Sequence, residues 1–261
     1  MIFPTPEFET NLLNPLASFL SSSIGRKWIV ALTGLAMLGF LIGHLVGNLQ
    51  VFLPPEHINK YAAFLKSIGE LLWIVRAALL AAVVAHVVFT IKLAIENRAA
   101  RPQKYEKSNR VQARISTRTM VWSGSYILCF IIVHLLHFTL QTIHPQYRQW
   151  TDEADRSDVY RMMIVGFSDP LMAGFYILGM ILLCAHLSHG IGSIPQTLGF
   201  RTKSAASFLT NGGRVLALAL ALGFISIPSA VLLGGLGKKY VEERSALDKP
   251  AAVVATQEAA K

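Results

Sequence analysis

Five stretches of this chain are apolar over a length that can lie in lipid: roughly 28–52, 71–95, 119–140, 170–194 and 215–236. A spanning helix needs ~20 mostly apolar residues. In lipid, backbone polar groups must be paired within helices or closed barrels. The pattern therefore predicts an all-α integral membrane protein, a bundle of five transmembrane helices. An N-terminal cytoplasmic or interfacial segment covers 1–23 and the membrane domain covers 24–237. An Ala-rich tail of mixed charge, expected to be poorly ordered, covers 238–261. Residues 12–20 are expected to form a short amphipathic piece on the membrane surface.

Composition agrees with a membrane domain. Of the 261 residues 53% are hydrophobic and 15% charged, and the mean hydropathy is +0.47; a soluble domain carries ~25% charge. The net charge of +9 would suit a nucleic acid, but the basic residues follow the crossings instead. The first connection has Lys60 and Lys66 against Glu56 and Glu70. The second has Lys92, Arg98, Arg101, Lys104, Lys107, Arg110, Arg114 and Arg118. In the third, Arg148, Arg156 and Arg161 face Asp152, Glu153, Asp155, Asp158 and Asp169, and the fourth has Arg201, Lys203 and Arg214 with no acid. The positive-inside rule puts the N-terminus and the second and fourth connections in the cytoplasm and the C-terminus outside. No nucleic-acid partner is expected. Residues 1–23 lack the basic and apolar regions of a signal peptide. Cys129 and Cys184 lie in apolar stretches and read as packing residues, and without a Cys-x-x-Cys-His motif covalent haem attachment is excluded. No internal repeat at a fixed period is evident.

Four apolar stretches carry a histidine: His44, His86, His134 and His186. An ionisable group inside a membrane is costly without a partner. At ~1.5 Å per residue, His44 and His134 lie ~12 and ~10 Å from the outer edge, and His86 and His186 ~22 and ~24 Å from it. Two histidines thus share an outer layer and two an inner layer, from different helices in each case. Two stacked b haems with bis-histidine ligation need that arrangement, and layers ~12 Å apart allow electron transfer between them. One such histidine alone would read as a packing residue or part of a proton path. His137 and His189 follow His134 and His186 by three residues, near the same helix face, and spacing leaves either member of each pair open as the ligand. Gly34, Gly39, Gly43, Gly47, Gly190 and Gly192 permit close approach by a macrocycle or, more plainly, by another helix. His57 and His144 lie in outer connections.

Several motifs now combine: Ser22-Ser-Ile-Gly-Arg-Lys-Trp28 with Leu-Thr-Gly after it, Gly43-His-Leu-Val-Gly-Asn48, Asn59-Lys-Tyr-Ala62, Arg118-Thr-Met with Gly124, His134-Leu-Leu-His-Phe138, and His186-Leu-Ser-His-Gly-Ile-Gly192. Together, over roughly residues 20–236, the chain resembles the di-haem cytochrome b anchor of succinate dehydrogenase/fumarate reductase, the single-anchor five-helix type of respiratory complex II. The resemblance implies iron ligands at His44 and His134 for the outer (distal) haem and at His86 and His186 for the inner (proximal) one. The choice of His134 over His137, and of His186 over His189, comes from the resemblance. It further implies a flavoprotein and an iron–sulfur subunit as partners, menaquinone as the quinone, and a bacterial inner (cytoplasmic) membrane location. Electrons would pass from the iron–sulfur subunit through the two haems to quinone, or the reverse. Membrane lipid is the remaining partner, and a higher oligomer of the complex stays open.

Other residues take candidate roles around that frame. Asn48, Gln50, His57 and Tyr61 are candidates for a quinone site at the outer ends of the spans. Glu70 is the candidate proton carrier, against the plainer reading of an acid favoured by a helix N-terminus. Arg76 is a candidate for a distal propionate, against snorkelling to headgroups. Ser23, Arg26 and Trp28, with Ser22 and Lys27, are candidates for proximal propionates, though an interfacial basic–aromatic belt would look alike. No flavin fingerprint or cysteine cluster is present, so the chain itself would not oxidise succinate. The competing classes are a di-haem anchor of a hydrogenase or formate dehydrogenase, and a haem-free proton-coupled transporter, which the lack of a repeat disfavours.

Overall fold

The computed structural model describes residues 15–100, 120–200, 202 and 204–248. A short helix, α1 (Pro15–Ser21), turns sharply into α2 (Ser23–Asn48). Ser22 caps α2 by accepting from Gly25 N at 2.9 Å. The corner needs Gly25: a Cβ there would lie 1.9 Å from the Phe19 carbonyl oxygen. A 3-10 turn over Leu49–Phe52 ends the first span. Helix α3 (Pro55–Ser67) opens on a proline at its first turn, with Glu56 near its start and Lys66 near its end, each on the side the helix dipole favours. Gly69, at φ +56°, turns the chain into α4 (Glu70–Ala99).

Helix α5 (Met120–His134) continues as a π-helical turn over Leu135–Thr139. After a 3-10 turn over Pro145–Gln149, α6 (Val159–Ser168) is capped by Asp158, which accepts from Arg161 N at 3.0 Å. Asp169 caps α7 (Pro170–Thr197) by accepting from Leu171 N at 2.9 Å. Helices α8 (Ala206–Leu232) and α9 (Lys238–Leu247) complete the described chain, separated by a bend with Gly235 and Gly237 at positive φ. There is no strand among the described residues.

Five helical segments are long and apolar enough to cross a membrane: Ser23–Phe52, Glu70–Ala99, Met120–Thr139, Pro170–Thr197 and Ala206–Leu232. They match the five expected stretches, with one shift. The fifth begins nine residues earlier than hydropathy suggests, because Ser207, Thr210, Asn211 and Arg214 extend the helix as a polar first section. Helices α2, α4, α5 and α7 form a four-sided bundle. α2 packs on α4, α2 on α7 and α5 on α7, while the side between α4 and α5 is not closely packed. α8 lies along α7 and touches α2; Leu38, Leu45 and Leu220 are buried at that seam. α4 has no buried residue along its length, alone among the described spanning helices.

At one end α3, α6 and α9 gather into a cap with its own apolar core, including Val51, Ile58, Ile164 and Phe167. The first and third connections hold α3 and α6. One expectation is corrected there. The tail expected to be poorly ordered is helical from Lys238 to Leu247. It is tied down by Tyr240 Oη donating to Asp158 at 2.9 Å, Arg161 pairing with Asp248 at 2.5 Å and Arg244 donating to the Thr151 carbonyl at 2.5 Å. The basic residues 101–118, with Arg118 and Thr119 of the quoted motif, lie outside the described residues, as do Arg201, Lys203, residues 12–14 of the amphipathic piece and the tail beyond 248.

Candidate functional site

The four histidines meet in two pairs across the diagonals of the bundle. His44 on α2 faces His134 on α5, with ring centroids 5.8 Å apart and planes at 86°. His86 on α4 faces His186 on α7, with centroids 6.5 Å apart and planes at 57°. The first pair lies toward the cap and the second toward the opposite end. All four rings are partly buried.

A carbonyl partner fixes which nitrogen of His86 carries the proton. His86 Nδ1 lies 3.2 Å from the Val30 carbonyl oxygen and 3.2 Å from Thr33 Oγ1. A carbonyl can only accept, so His86 Nδ1 is the protonated nitrogen. Thr33 Oγ1 gives its own hydrogen to the Ile29 carbonyl at 2.6 Å, which leaves its lone pairs for His86. His186 has a similar neighbour: Ser123 Oγ donates to the Met120 carbonyl at 3.2 Å and lies 3.4 Å from His186 Nδ1. His86 therefore keeps Nε2 as a free lone pair, the state a metal ligand needs.

In the first pair, Tyr176 Oη lies 3.4 Å from His134 Nδ1 and 3.2 Å from His137 Nδ1. His137 is fully buried, and its Nε2 has no hydrogen-bond partner among the described residues. It lies against Gly166 of α6, where a Cβ would come within 3.1 Å of it. His189 lies 3.4 Å through Nε2 from Ser193 Oγ on its own helix. Of each i, i+3 pair, the first histidine faces a histidine of another spanning helix, while His137 lies 5.4 Å from the ring of His144 in the third connection.

The remaining candidates are spread out. Asn48 donates to the His44 carbonyl at 2.7 Å. Tyr61 packs on Gly47, where a Cβ would sit 2.7 Å from its ring. Gln50 is half-buried, while His57 and Glu70 are exposed. An open groove of about 420 Å³ on the cap is lined by Ala63, Lys66, Ser67, Asp155, Arg156 and Ser157 and takes in none of these five. Arg76 is exposed, its guanidinium 5.0 Å from the centre of the Trp73 ring. Ser23 is exposed at the start of α2, and Trp28 is 36% exposed. Arg26 is engaged with the Leu20 and Ser21 carbonyls and forms an ion pair with Glu96 of α4, which clamps α1, α2 and α4 together.

Sequence reasoning passed over Thr33, Ser123 and Tyr176, and also a repeat. Thr33-Gly34, Phe40 and His44 on α2 recur with identical spacing as Ser123-Gly124, Phe130 and His134 on α5. Phe40 stacks on His44 (5.2 Å, 19°) and Phe130 on His134 (6.0 Å, 14°). The hairpin of α2 and α4 is thus echoed by α5 and α7, in the same direction. The two hairpins form a repeat, and a transporter is not disfavoured on that ground.

The cap was also missed as a site of buried polarity. Asn59, 1% exposed, donates to Asp152 at 3.3 Å and Asp158 at 3.2 Å and accepts from Tyr160 N at 3.0 Å. Arg161, read from sequence as a loop charge, is buried beneath the Trp150 ring at 4.1 Å. Burial alone would raise the Asp152 pKa, but bonds from the Arg156 side chain and from the Arg156 and Ala154 backbone hold it below the usual carboxylate value. Burial pushes Tyr147 up to about 12. No protein-family model, curated protein or solved structure matches the chain.

Proposed function

We propose that the chain is a di-haem cytochrome b that anchors a succinate dehydrogenase or fumarate reductase in the membrane and conducts electrons between its iron–sulfur subunit and a quinone. The observation that carries the haem reading is the pair of histidine pairs. Metal–nitrogen bonds of ~2.0–2.1 Å put the centroids of two imidazoles on opposite sides of one metal ion ~6 Å apart, and the two pairs stand at 5.8 and 6.5 Å. Among the described residues no third His, Cys, Asp or Glu joins either pair. The donor set is therefore two neutral imidazoles, which suits a macrocycle that brings the other ligands itself.

His44 and His134 would hold one haem, and His86 and His186 the other. Haem supplies one-electron chemistry at its iron. The chain's own work is to present unprotonated Nε2 atoms: Val30, Thr33 and Ser123 keep the proton on Nδ1 of His86 and His186. Tyr176 can accept from His134 Nδ1 and donate to His137. Phe40 and Phe130 stack on two of the rings and limit their rotation. The choice of this complex over another respiratory dehydrogenase rests on the motif resemblance, and so does menaquinone as the quinone.

The test is a dithionite-reduced minus oxidised spectrum with a pyridine haemochrome count, on the purified full chain and on His44→Ala and His86→Ala. Two haems b per chain are expected, with a different one lost in each variant. A colourless protein would overturn the cytochrome reading and leave the transporter. Isolation from native membranes with a flavoprotein and an iron–sulfur protein, and reduction of the haems by succinate, are the outcomes expected for the assigned complex.

A further inference from the structure

Thr33 and Ser123 occupy equivalent places in the two hairpins. Each stands eleven residues before the first-layer histidine of its own helix. Each hydroxyl lies within hydrogen-bond distance of a backbone carbonyl of its own helix and of Nδ1 of a second-layer histidine on the neighbouring helix. The glycine that follows each hydroxyl takes the edge of that ring. A Cβ at Gly34 would lie 3.5 Å from His86 Cε1 and 3.8 Å from Nδ1, and one at Gly124 would lie 3.5 Å from His186 Cε1 and 3.9 Å from Nδ1. The two rings therefore rest against their neighbouring helices in nearly the same pose. The first layer lacks this device: His134 takes Tyr176 instead.

We propose that Thr33 and Ser123 are positioning residues for the His86–His186 layer, fixing the tautomer and the plane of its two imidazoles and raising their basicity toward a bound metal. The proposal rests on the haem reading above. An Nδ1–H bond to a fixed acceptor gives the ligating nitrogen more electron density, and such partners govern both ligand orientation and the potential of the metal. At His86 the Val30 carbonyl shares this role with Thr33. At His186 the Ser123 hydroxyl, which also reaches the Met120 carbonyl, carries it.

The test uses the full chain, purified with its native partners, in four forms besides wild type: Thr33→Val, Ser123→Ala, and the hydroxyl-keeping Thr33→Ser and Ser123→Thr. Three readouts apply: the haemochrome count, the low-temperature electron paramagnetic resonance of the oxidised protein, and a redox titration. The component absent in His86→Ala identifies the layer. In Ser123→Ala that component is expected to shift its low-spin signal and its midpoint to higher potential, with the other component unchanged. Thr33→Val is expected to shift it in the same direction, and the hydroxyl-keeping variants to restore wild-type values. Selective loss of that one haem in Ser123→Ala, restored in Ser123→Thr, also supports the assignment. Two haems with unaltered signals in Ser123→Ala would overturn it, as would equal shifts of both components or failure of Ser123→Thr to restore. A wild-type chain without haem would instead overturn the function proposed above.

Discussion

The amide of Asn59 meets two carboxylates and a backbone N–H in a site closed to solvent, so each of its hydrogen-bonding atoms is in use. Asn59→Ala takes one bond from each carboxylate, both of which keep their other donors, and leaves the buried Tyr160 N–H without its acceptor; an unsatisfied buried group costs ~1–3 kcal/mol. The expected result is a clear drop in the thermal unfolding temperature of the detergent-solubilised protein, with the spanning helices still formed by circular dichroism. Asp152 adds a pH dependence of known sign. Its folded pKa is lowered, so its contribution is complete above the unfolded value of ~3.9 and is lost as pH falls through the folded value. The protection factors of amides over residues 145–168, exchange rates corrected for their intrinsic pH dependence, should therefore hold steady from pH 7 to 5 and fall below about pH 4. Asp152→Asn should lose part of that acid step; an unchanged acid profile would remove Asp152 from the account.

Between elements, Gly47 sets how closely α3 approaches α2. A Cβ there would meet the Tyr61 ring at 2.7 Å, so Gly47→Ala forces the ring aside at a cost of ~1–3 kcal/mol, typical of overpacking. Tyr61→Leu in the Gly47→Ala background should recover part of that loss, and a double-mutant cycle in thermal unfolding measures the coupling. The motif Gly43-His-Leu-Val-Gly-Asn48 was legible in sequence, but its second glycine serves helix packing. The spanning helices were legible because lipid demands both length and apolarity, and few other segments supply both. The histidine layers were legible because helical rise converts position into depth. What stayed hidden depends on contacts at long range. α6 spans 10 residues, too short to stand out by hydropathy, and Arg161 and Asp158 on it looked like solvated charge. The repeat was hidden because it rests on four positions per helix rather than on a period: the first-layer histidines are 90 residues apart and the second-layer ones 100.

For the molecule as a whole, ligand candidates on diagonal helices make the centre of the bundle the place where both hairpins are joined. α4 packs chiefly on α2 and has no buried residue. Under the proposed function, chain produced under haem limitation should show faster amide exchange in α4 than haem-replete chain, with α7 and α8 changed much less; equal exchange in all three would count against haem as the joining element. The cap joins the molecule differently. Its polar network runs from Asn59, on the first connection, to Asp248, at the end of the described chain. Arg161 is 4% exposed, and Asp248 supplies its carboxylate. During synthesis, then, the five spans emerge and insert before the last contact of the cap exists. A nascent chain stopped after Leu236 would hold the five described spanning segments but lack the helix whose Ser245 and Asp248 engage Arg161. The cap can therefore close only after the fifth spanning segment has been made.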